Sequence, residues 1–415
     1  QSCGRTRSKI DFSQQLSRSN ESNYGFSQMK MGISAFAGDN GKSGISQYMK
    51  HVLKRMPQMS DDDSYVLFMS ESDRSFFDFE HPRIDVVTVA DWVGKPMVNI
   101  LWHLFYLPAL LSRHNCDCVY MPAGNRRLAW WYGLPSIGTV HDLSQLHVPG
   151  KYDAMRMFYA TKILPRMMQR LTHVISVSKS TRKDLVNFAG VNPERIDVVY
   201  NGADLERYSP DHRDQGKQLV LNKYGITNPY ILYTARLEHP GKNHVNLLDA
   251  FARLKEKSGL PHHLVLAGSP WYGADAIYAV ARDLGIEEFV CFAGFVNDSD
   301  LPSLYAGADL FVFPSLFEGF GIPLLEAMAS GTPVCASNVS SIPEVVKNAG
   351  LLFDPEDADD MAASMLQIIL DNSLRKKLIQ RGLRQSALFS WDDSARQVHN
   401  LCPVSYTHLT LPTTG

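Results

Sequence analysis

The chain has 415 residues, of which 45% are hydrophobic and 20% are charged, and its formal net charge is -2 at pH 7. This length and composition predict two or three globular domains and exclude a disordered or fibrous chain. Because the charge is close to neutral, no global basic field suggests a nucleic-acid partner.

The two ends of the chain differ in composition from the rest. Residues 1–28 are polar and rich in Ser, Arg, Asn and Gln, and residues 402–415 follow the last helical pattern without apolar periodicity. We expect both ends to be non-native or disordered. No apolar run reaches 18 residues and no signal peptide is evident, so we expect a cytoplasmic protein with, at most, peripheral membrane contact. The six cysteines form no Cys-x-x-Cys pair, which favours a reducing compartment.

The first half of the chain alternates short apolar runs with helical patterns, which predicts a parallel sheet covered by helices. The predicted strands are Met31–Ala37, Ser64–Met69, Ile84–Val89, Asp117–Met121, Pro135–Val140, His173–Val177 and Ile196–Tyr200. The predicted helices are Ile45–Arg55, Met97–Ser112, Asp153–Gln169 and Lys179–Phe188. The loop between the first strand and the first helix contains Gly41 and Gly44, and such loops can hold phosphate, although many ordinary turns look similar.

Two predicted helices of this half have residues typical of a surface that contacts an acceptor or a membrane. Trp102 lies in an aromatic stretch from Trp92 to Leu111, which either packs on the sheet or faces an acceptor or a membrane. Basic residues beside methionines in Asp153–Gln169 can touch anionic lipid, although a solvated helix face explains them as well.

His141 and Asp142 directly follow a predicted strand, at the sheet edge where α/β proteins bind ligands. A lone histidine is more often structural than catalytic, so its position alone does not decide its role. Asp142 either positions the imidazole or caps a turn, and the sequence favours neither.

The second half repeats the alternation. Its predicted strands are Tyr230–Ala235, His263–Ala267, Val290–Phe292, Leu310–Phe313, Thr332–Ala336 and Leu351–Phe353. Its predicted helices include Ala274–Leu284, Asp357–Leu370, Ser373–Leu388 and Trp391–Leu401. Arg236 and Lys242 flank the loop after the first of these strands, where two cations can bind a diphosphate.

The segment 307–344 is the most informative part of the chain. A buried strand leads into a loop with Glu318 and Gly321, and Pro323 then opens a helix that carries Glu326 near its start. Free N–H groups at a helix start suit a phosphate, and carboxylates here either bind a ligand or are solvated. Further on, Ser341 and Glu344 have the spacing of a capping box.

The segment from Glu318 to Val334 has the sequence Glu-Gly-Phe-Gly-Ile-Pro-Leu-Leu-Glu-Ala-Met-Ala-Ser-Gly-Thr-Pro-Val. It resembles the glutamate-pair motif of the retaining glycosyltransferases of family 4. The resemblance extends over most of the chain, from about Met31 to Leu401. It implies the α/β fold called GT-B, in which two Rossmann-like parallel-sheet domains face a central cleft. The domains expected from it are an acceptor-side domain at 29–207, a nucleotide-sugar domain at 208–388 and a helix at 389–401 that returns to the first domain.

The resemblance also implies a role for particular residues. Glu318 and His141 are expected beside the donor sugar as catalytic residues, and Glu326 on the nucleotide ribose. The residues expected on the donor diphosphate are Arg236, Lys242, Gly41, Gly44, Gly321 and Ile322. Phe295 and Val296 are expected to contact the base, and Asp142 and Trp102 to lie on the acceptor side.

The implied activity is transfer of a hexosyl group from a nucleotide diphosphate sugar to a hydroxyl of a glycan or lipid-linked acceptor, with retention of the anomeric configuration. Two further segments are Arg-Leu-Glu-His-Pro-Gly-Lys-Asn-His and Thr-Val-His-Asp-Leu. They resemble the corresponding segments of bacterial mannosyl- or rhamnosyltransferases of surface polysaccharide synthesis, which favours mannose as the transferred sugar. The alternatives are a nucleotide-sugar epimerase or phosphorylase of the same fold, and an inactive subunit that binds a nucleotide sugar.

No cofactor and no metal is expected. The chain has Asp-x-Asp spacing at Asp298 and Asp300 and again at Asp357 and Asp359, but each pair precedes a helix and is typical of capping.

Overall fold

The computed structural model describes residues 28–36, 41, 43–148 and 154–410. The prediction for the polar N-terminal end therefore falls almost entirely outside the described residues. Within them, the chain forms two separate parallel sheets, as the alternation of strands and helices predicts.

The first sheet has seven strands in the order β3-β2-β1-β4-β5-β6-β7, and the second has six in the order β10-β9-β8-β11-β12-β13. The strands of the first sheet are β1 Lys30–Ser34, β2 Ser64–Ser70, β3 Ile84–Val89, β4 Cys118–Met121, β5 Ser136–Val140, β6 His173–Ser176 and β7 Ile196–Val198. Those of the second are β8 Tyr230–Thr234, β9 His263–Ala267, β10 Val290–Gly294, β11 Leu310–Phe313, β12 Val334–Ser337 and β13 Gly350–Phe353.

Helices connect these strands and cover both faces of each sheet. In the first half they are α1 Gly44–Arg55, α2 Pro96–Leu101, α3 Leu107–Arg113, α4 Ala154–Phe158, α5 Leu164–Met168 and α6 Lys179–Asn187. In the second half they are α7 Arg213–Tyr224, α8 His244–Ser258, α9 Ala274–Asp283, α10 Leu301–Gly307, α11 Ile322–Ala329, α12 Ile342–Val346, α13 Ala358–Leu370, α14 Asn372–Ser386 and α15 Trp391–Thr410.

Two of the helices predicted as continuous contain a π-helical segment. Trp102–Tyr106 joins α2 to α3, and Tyr159–Ile163 joins α4 to α5. Such wide turns change which side chains face the sheet, so a 3.6-residue pattern does not report the exposed face reliably. None of the helices in the described part of the chain has the length and apolar character needed to cross a bilayer.

Each sheet has one point where the strand order reverses, between β1 and β4 in the first and between β8 and β11 in the second. Ligands of open α/β sheets bind outside the carboxyl ends of the strands at such points. Strands β4, β5, β8, β11 and β12 are buried along their whole length, because helices cover both faces. The loops at their carboxyl ends therefore start from fixed positions.

The last helix, α15, packs on the first domain although it follows the second in sequence. Trp391, Ala395 and Val398 lie in the same buried cluster as Met31 of β1. The predicted end at Leu401 was wrong, because the helix continues to Thr410. The expectation that residues 402–415 lie outside the fold fails at Cys402, which is fully buried in that cluster.

Candidate active site

The cleft between the two sheets contains two adjoining cavities, of about 280 and 370 Å³. Both are lined from the two domains, and they share residues at the start of α1, after β8 and at the start of α11. Of the predicted site residues, the first cavity is lined by Gly44, His141, Asp142, Arg236, Lys242, Glu318, Gly321 and Ile322. The second is lined by Gly41, Gly44, Arg236, Phe295, Val296, Ile322 and Glu326.

Trp102 lines neither cavity and packs against the sheet, which is one of the two alternatives that the sequence left open. Its ring is 7% exposed and packs edge-on against Phe36 and His103, with centroid distances of 5.0 Å to each. The π-helical turn that begins at Trp102 turns the indole toward the core, while Phe105 and Tyr106 are exposed.

Glu318 forms an ion pair with Lys242 that the sequence did not suggest. The Lys242 Nζ donates to Glu318 Oε1 over 2.7 Å, and both side chains are largely buried. Burial by itself would lower the pKa of Lys242, but Glu318 outweighs burial and leaves this pKa above its usual value. The predicted catalytic carboxylate and the predicted phosphate-binding cation therefore neutralise each other.

Two serines hold the loop of Glu318 in place. The Glu318 N–H donates to Ser340 Oγ over 3.0 Å, and Ser341 Oγ donates to the carbonyls of Glu318 and Phe320 over 2.9 and 3.1 Å. Ser340 adopts a left-handed conformation with φ of 51°, which costs a non-glycine residue about 1–3 kcal/mol. This strained backbone is retained where it places a hydroxyl beside the backbone of Glu318.

The predicted capping box of Ser341 and Glu344 was wrong. Ser341 forms no side-chain cap for α12 and bonds the Glu318 loop instead. The Glu344 carboxylate accepts from the backbone N–H groups of Lys179 and Ser180, in the other domain. Both side chains thus form tertiary contacts in place of the local pair that the sequence pattern predicted.

His141 is a neutral imidazole with a defined tautomer. Its Nε2 lies 2.7 Å from the Pro122 carbonyl, which can only accept, so Nε2 carries the proton and Nδ1 keeps its lone pair. Burial lowers the pKa of His141 to about 4, although the Pro122 bond and Asp142 oppose this. At neutral pH the ring therefore offers a hydrogen-bond acceptor at Nδ1 and no positive charge.

Asp142 caps a turn, which is one of the two roles that the sequence left open for it. Its Oδ1 accepts from the Ser144 N–H and hydroxyl over 3.3 and 3.1 Å. The two halves of the site meet beside it, because the Gly319 backbone packs against the carbonyl of His141. A Cβ at Gly319 would overlap that carbonyl oxygen, so only glycine permits this approach.

Arg236 lies where both cavities meet and is held from two sides. Its guanidinium lies 4.9 Å from the ring centroid of Trp271, and its Nη2 lies 3.4 Å from Glu238 Oε2. Cation–π contact and the carboxylate orient the planar guanidinium, while the side chain stays 40% exposed to the cleft. The sequence singled out neither Trp271 nor Glu238, and no local pattern marks them.

Glu326 is bound by two tyrosines. Tyr208 donates to its Oε1 over 2.9 Å and Tyr305 to its Oε2 over 2.7 Å, while Thr234 Oγ1 lies 2.6 Å from the Tyr305 hydroxyl. Burial raises the pKa of Glu326, and the two tyrosine bonds oppose this. Each carboxylate oxygen has a second lone pair, so both can still accept from ligand hydroxyls.

Both Asp-x-Asp pairs have structural partners. Asp357 caps α13 by accepting from the N–H groups of Asp359 and Asp360, as predicted. Asp300 lies at the start of α10 but makes no cap bond, and instead pairs with Lys223 over 2.8 Å. Among the described residues, no group of three histidine, cysteine or acidic side chains is arranged to hold a metal ion.

Two family models match the chain. The model described as Glycosyltransferase Family 4 matches residues 42–207, and the model described as Glycosyl transferases group 1 matches residues 219–385. The first match covers the domain of His141, and the second covers the domain of Arg236, Glu318 and Glu326.

Several curated proteins are similar to the chain. O-antigen chain mannosyltransferase B from Escherichia coli is 36% identical over 324 residues, which make up 77% of this chain and 77% of that protein. Serotype-specific mannosyltransferase WbdA from Escherichia coli is 29% identical over 305 residues, or 72% of this chain but only 36% of that protein.

Solved structures share the fold. Anabaena Alr3699/HepE in complex with UDP-glucose superimposes with a TM-score of 0.71 at 22% identity, over 92% of this chain and 100% of that one. Sucrose-phosphate synthase from Thermosynechococcus elongatus gives 0.72 at 21% identity, over 92% and 99%. At these identities the likeness establishes the architecture, two parallel-sheet domains with a cleft between them.

Proposed function

Since the chain belongs to the family 4, group 1 glycosyltransferases, we propose that it transfers a hexosyl group, preferentially mannose, from a nucleotide diphosphate sugar to a hydroxyl. The observation that carries the proposal is the meeting of Glu318, Lys242 and His141 in one cavity between the domains. The acceptor is proposed to be a glycan or a lipid-linked sugar of a surface polysaccharide.

The charges of the cleft suit a diphosphate leaving group. Arg236 lies at the boundary of the two cavities and Lys242 lines the first, while α11 begins at Ile322 after Gly321, without a side-chain cap. A departing diphosphate gains negative charge, which cations and helix-start N–H groups stabilise most strongly in the transition state. We propose that these groups replace a metal ion, so activity should survive removal of divalent cations by EDTA.

Glu318 is proposed to act on the sugar once the donor is bound. The diphosphate competes with Glu318 for Lys242, which weakens their 2.7 Å ion pair and frees the carboxylate. A free carboxylate beside the sugar favours the oxocarbenium-like transition state of glycosyl transfer. The bond from C1 to the diphosphate oxygen breaks while the acceptor oxygen bonds C1 from the same face, and the acceptor proton leaves with the diphosphate.

Mannose is proposed because the two similar Escherichia coli proteins described above are named mannosyltransferases. A nucleotide diphosphate donor is supported by the fold neighbour that binds UDP-glucose and by the second cavity, where Glu326 and Phe295 lie. Glu326 suits the ribose hydroxyls, since a carboxylate accepts hydrogen bonds from them. Phe295 is half exposed and suits contact with a base.

The first test is a panel of GDP-mannose, UDP-glucose and UDP-galactose, scored by thermal shift and by slow hydrolysis. We expect the mannose donor to give the largest response and its mannosyl product to keep the anomeric configuration, read by proton NMR. An inverted product would contradict the retaining mechanism. An epimerised sugar released without transfer would identify an epimerase, and binding without hydrolysis or transfer would identify an inactive subunit.

We also propose peripheral contact between the first domain and a membrane that carries the acceptor. Large apolar side chains with at least half of their surface exposed include, in two segments of that domain, Trp92, Met97, Leu101, Phe105, Tyr106, Met155 and Phe158. Exposed apolar side chains flanked by basic ones bind anionic bilayers. Cations that flank these side chains in sequence include Lys95, Arg113, Lys162 and Arg166.

Co-sedimentation with vesicles of phosphatidylglycerol tests this contact. Replacing Phe105 and Tyr106 by serine should abolish binding at low salt, whereas replacing the exposed Leu370 and Leu388 of the second domain should not. Equal binding by both double variants, or none by the wild type, would contradict the membrane proposal and leave the transferase proposal intact.

A further inference from the structure

Glu344 connects the two domains beside the candidate active site. It lies in the first turn of α12, in the second domain, and its carboxylate reaches the start of α6 in the first domain. Oε2 accepts from the Lys179 N–H and Oε1 from the Ser180 N–H, both over 3.1 Å. Oε2 also accepts from the Tyr200 hydroxyl over 3.2 Å.

These bonds complete the start of α6. The side chain of Ser178 accepts from the Thr181 N–H, so Ser178 and Glu344 together satisfy the first three N–H groups of the helix. A carboxylate is favoured there, because it faces the positive end of the helix dipole and accepts charge-assisted hydrogen bonds. The α6 start therefore depends on a residue of the other domain.

The same short stretch of chain also holds the Glu318 loop. Ser341, one residue before α12, bonds the carbonyls on both sides of Gly319. The loop is in turn contacted by the first domain, since His147 stacks on Phe317 at 4.3 Å and the Thr181 hydroxyl lies 3.4 Å from the carbonyls of His141 and Gly319.

We infer that Glu344 is a positioning residue that sets the placement of His141 relative to Glu318. The inference rests on the proposed function, in which these two residues act on one donor sugar. His141 belongs to the first domain and Glu318 to the second, so their separation depends on how the domains meet. Glu344 and Ser341 couple that contact to the loop of Glu318.

Glu344→Gln is the informative variant. It keeps the size of the side chain but leaves one acceptor oxygen where two N–H groups need partners, and it places an amide NH₂ against one of them. Asp371→Asn is the matched control, because Asp371 also accepts from two helix-start N–H groups, those of Ser373 and Leu374, but within the second domain.

We expect Glu344→Gln to lower kcat at saturating donor and acceptor by about ten- to a hundredfold, the range that a displacement near 1 Å produces. The Kd for free UDP or GDP, whichever binds the wild type, should change less than roughly threefold, because the proposed nucleotide contacts of Glu326, Phe295 and Val296 are within one domain. Asp371→Asn should leave both values unchanged even where it lowers the melting temperature.

Small-angle scattering gives a readout that needs no activity. Glu344→Gln should have a larger radius of gyration than the wild type with the same nucleotide bound, and Tyr200→Phe should show a smaller increase. Wild-type kcat and wild-type scattering for Glu344→Gln, or an equal loss of kcat in Asp371→Asn, would overturn the inference. If the wild type transferred no sugar to any acceptor, the proposed function would fail, while scattering would still decide whether Glu344 holds the domains together.

Discussion

Glu318 and Glu326 belong to one motif, yet their surroundings differ. The Glu318 region contains the Lys242 ammonium and the hydroxyls of Ser340 and Ser341, whereas Glu326 is bound by the hydroxyls of Tyr208 and Tyr305. The pKa of Glu326 is raised, chiefly by burial. One carboxylate is thus paired with a cation that a diphosphate can attract, and the other is held by neutral donors.

This difference shows how neighbouring groups give two identical side chains different electrostatic properties. A carboxylate whose counter-ion can be drawn away changes its electrostatic effect when the donor binds. A carboxylate held by tyrosine hydroxyls keeps its position and serves as a fixed acceptor. The comparison therefore fits the proposed roles, transition-state stabilisation for Glu318 and ground-state binding for Glu326, and the following variants test that division.

The largest effect is expected from Glu318→Gln. This change keeps the shape and removes the charge, so kcat should fall on the order of a thousandfold, about 4 kcal/mol, with little change in donor KM. Steady-state kinetics with varied donor at saturating acceptor measure both values. A near-normal kcat for Glu318→Gln, together with a loss of turnover in Glu326→Ala, would show that the roles of the two glutamates are the reverse of those proposed.

Lys242→Ala should impair both binding and turnover. The diphosphate is bound in the ground state and gains charge later, so KM should rise and kcat should fall, with a combined loss of about 2.7–4 kcal/mol in kcat/KM. Lys242→Ala should also remove the cation that pairs with the largely buried Glu318 carboxylate. Lys242→Ala should therefore lower the melting temperature, and a wild-type melting temperature would argue against a stabilising ion pair.

Acid should destabilise the protein through His141. Its pKa is about 4 in the folded state against 6.5 in the unfolded chain, so unfolding takes up a proton between these values. The stability that neutral His141 contributes is present above pH 6.5 and is lost as the pH falls toward 4, on the order of 2–3 kcal/mol. Urea unfolding at pH 7 and pH 4.5 should show this loss in the wild type and a smaller one in His141→Asn.

Glu326→Ala should mainly weaken donor binding. It removes an acceptor for ribose hydroxyls and leaves two tyrosine hydroxyls without their partner, so KM should rise roughly ten- to a hundredfold, about 1.5–3 kcal/mol. The effect on kcat should be smaller, because the ribose is remote from the breaking bond. A fall in kcat that exceeds the rise in KM would contradict the assignment of Glu326 to the ribose.

The smallest effect is expected from Tyr208→Phe, which removes one of the two bonds that orient Glu326. Donor KM should rise about fivefold, the equivalent of about 1 kcal/mol, with kcat unchanged. Tyr278→Phe is the control, since its ring packs on Phe292 outside the lining of both cavities. An equal KM effect in Tyr278→Phe would indicate a general loss of stability.

The sequence by itself determined the alternation of strands and helices, the two-sheet architecture and most of the candidate site. These features are local, because strand and helix periods, Gly321, Pro323 and the motif from Glu318 to Val334 can all be identified along the chain. Carboxyl ends of parallel strands meet at one sheet edge, so residues placed after β5, β8 and β11 come together once the topology is correct.

Only the tertiary structure decided which partner each side chain takes. The pattern of Ser341 and Glu344 predicted a capping box, but Glu344 bonds Lys179 across 165 positions, and Tyr208 reaches Glu326 across 118. The aromatic stretch around Trp102 left packing on the sheet and a binding surface both open, and the tertiary structure buries Trp102 in the core. A side chain adopts the contact of lowest free energy among all that the folded chain offers, and distant contacts of that kind leave no periodic signal in the sequence.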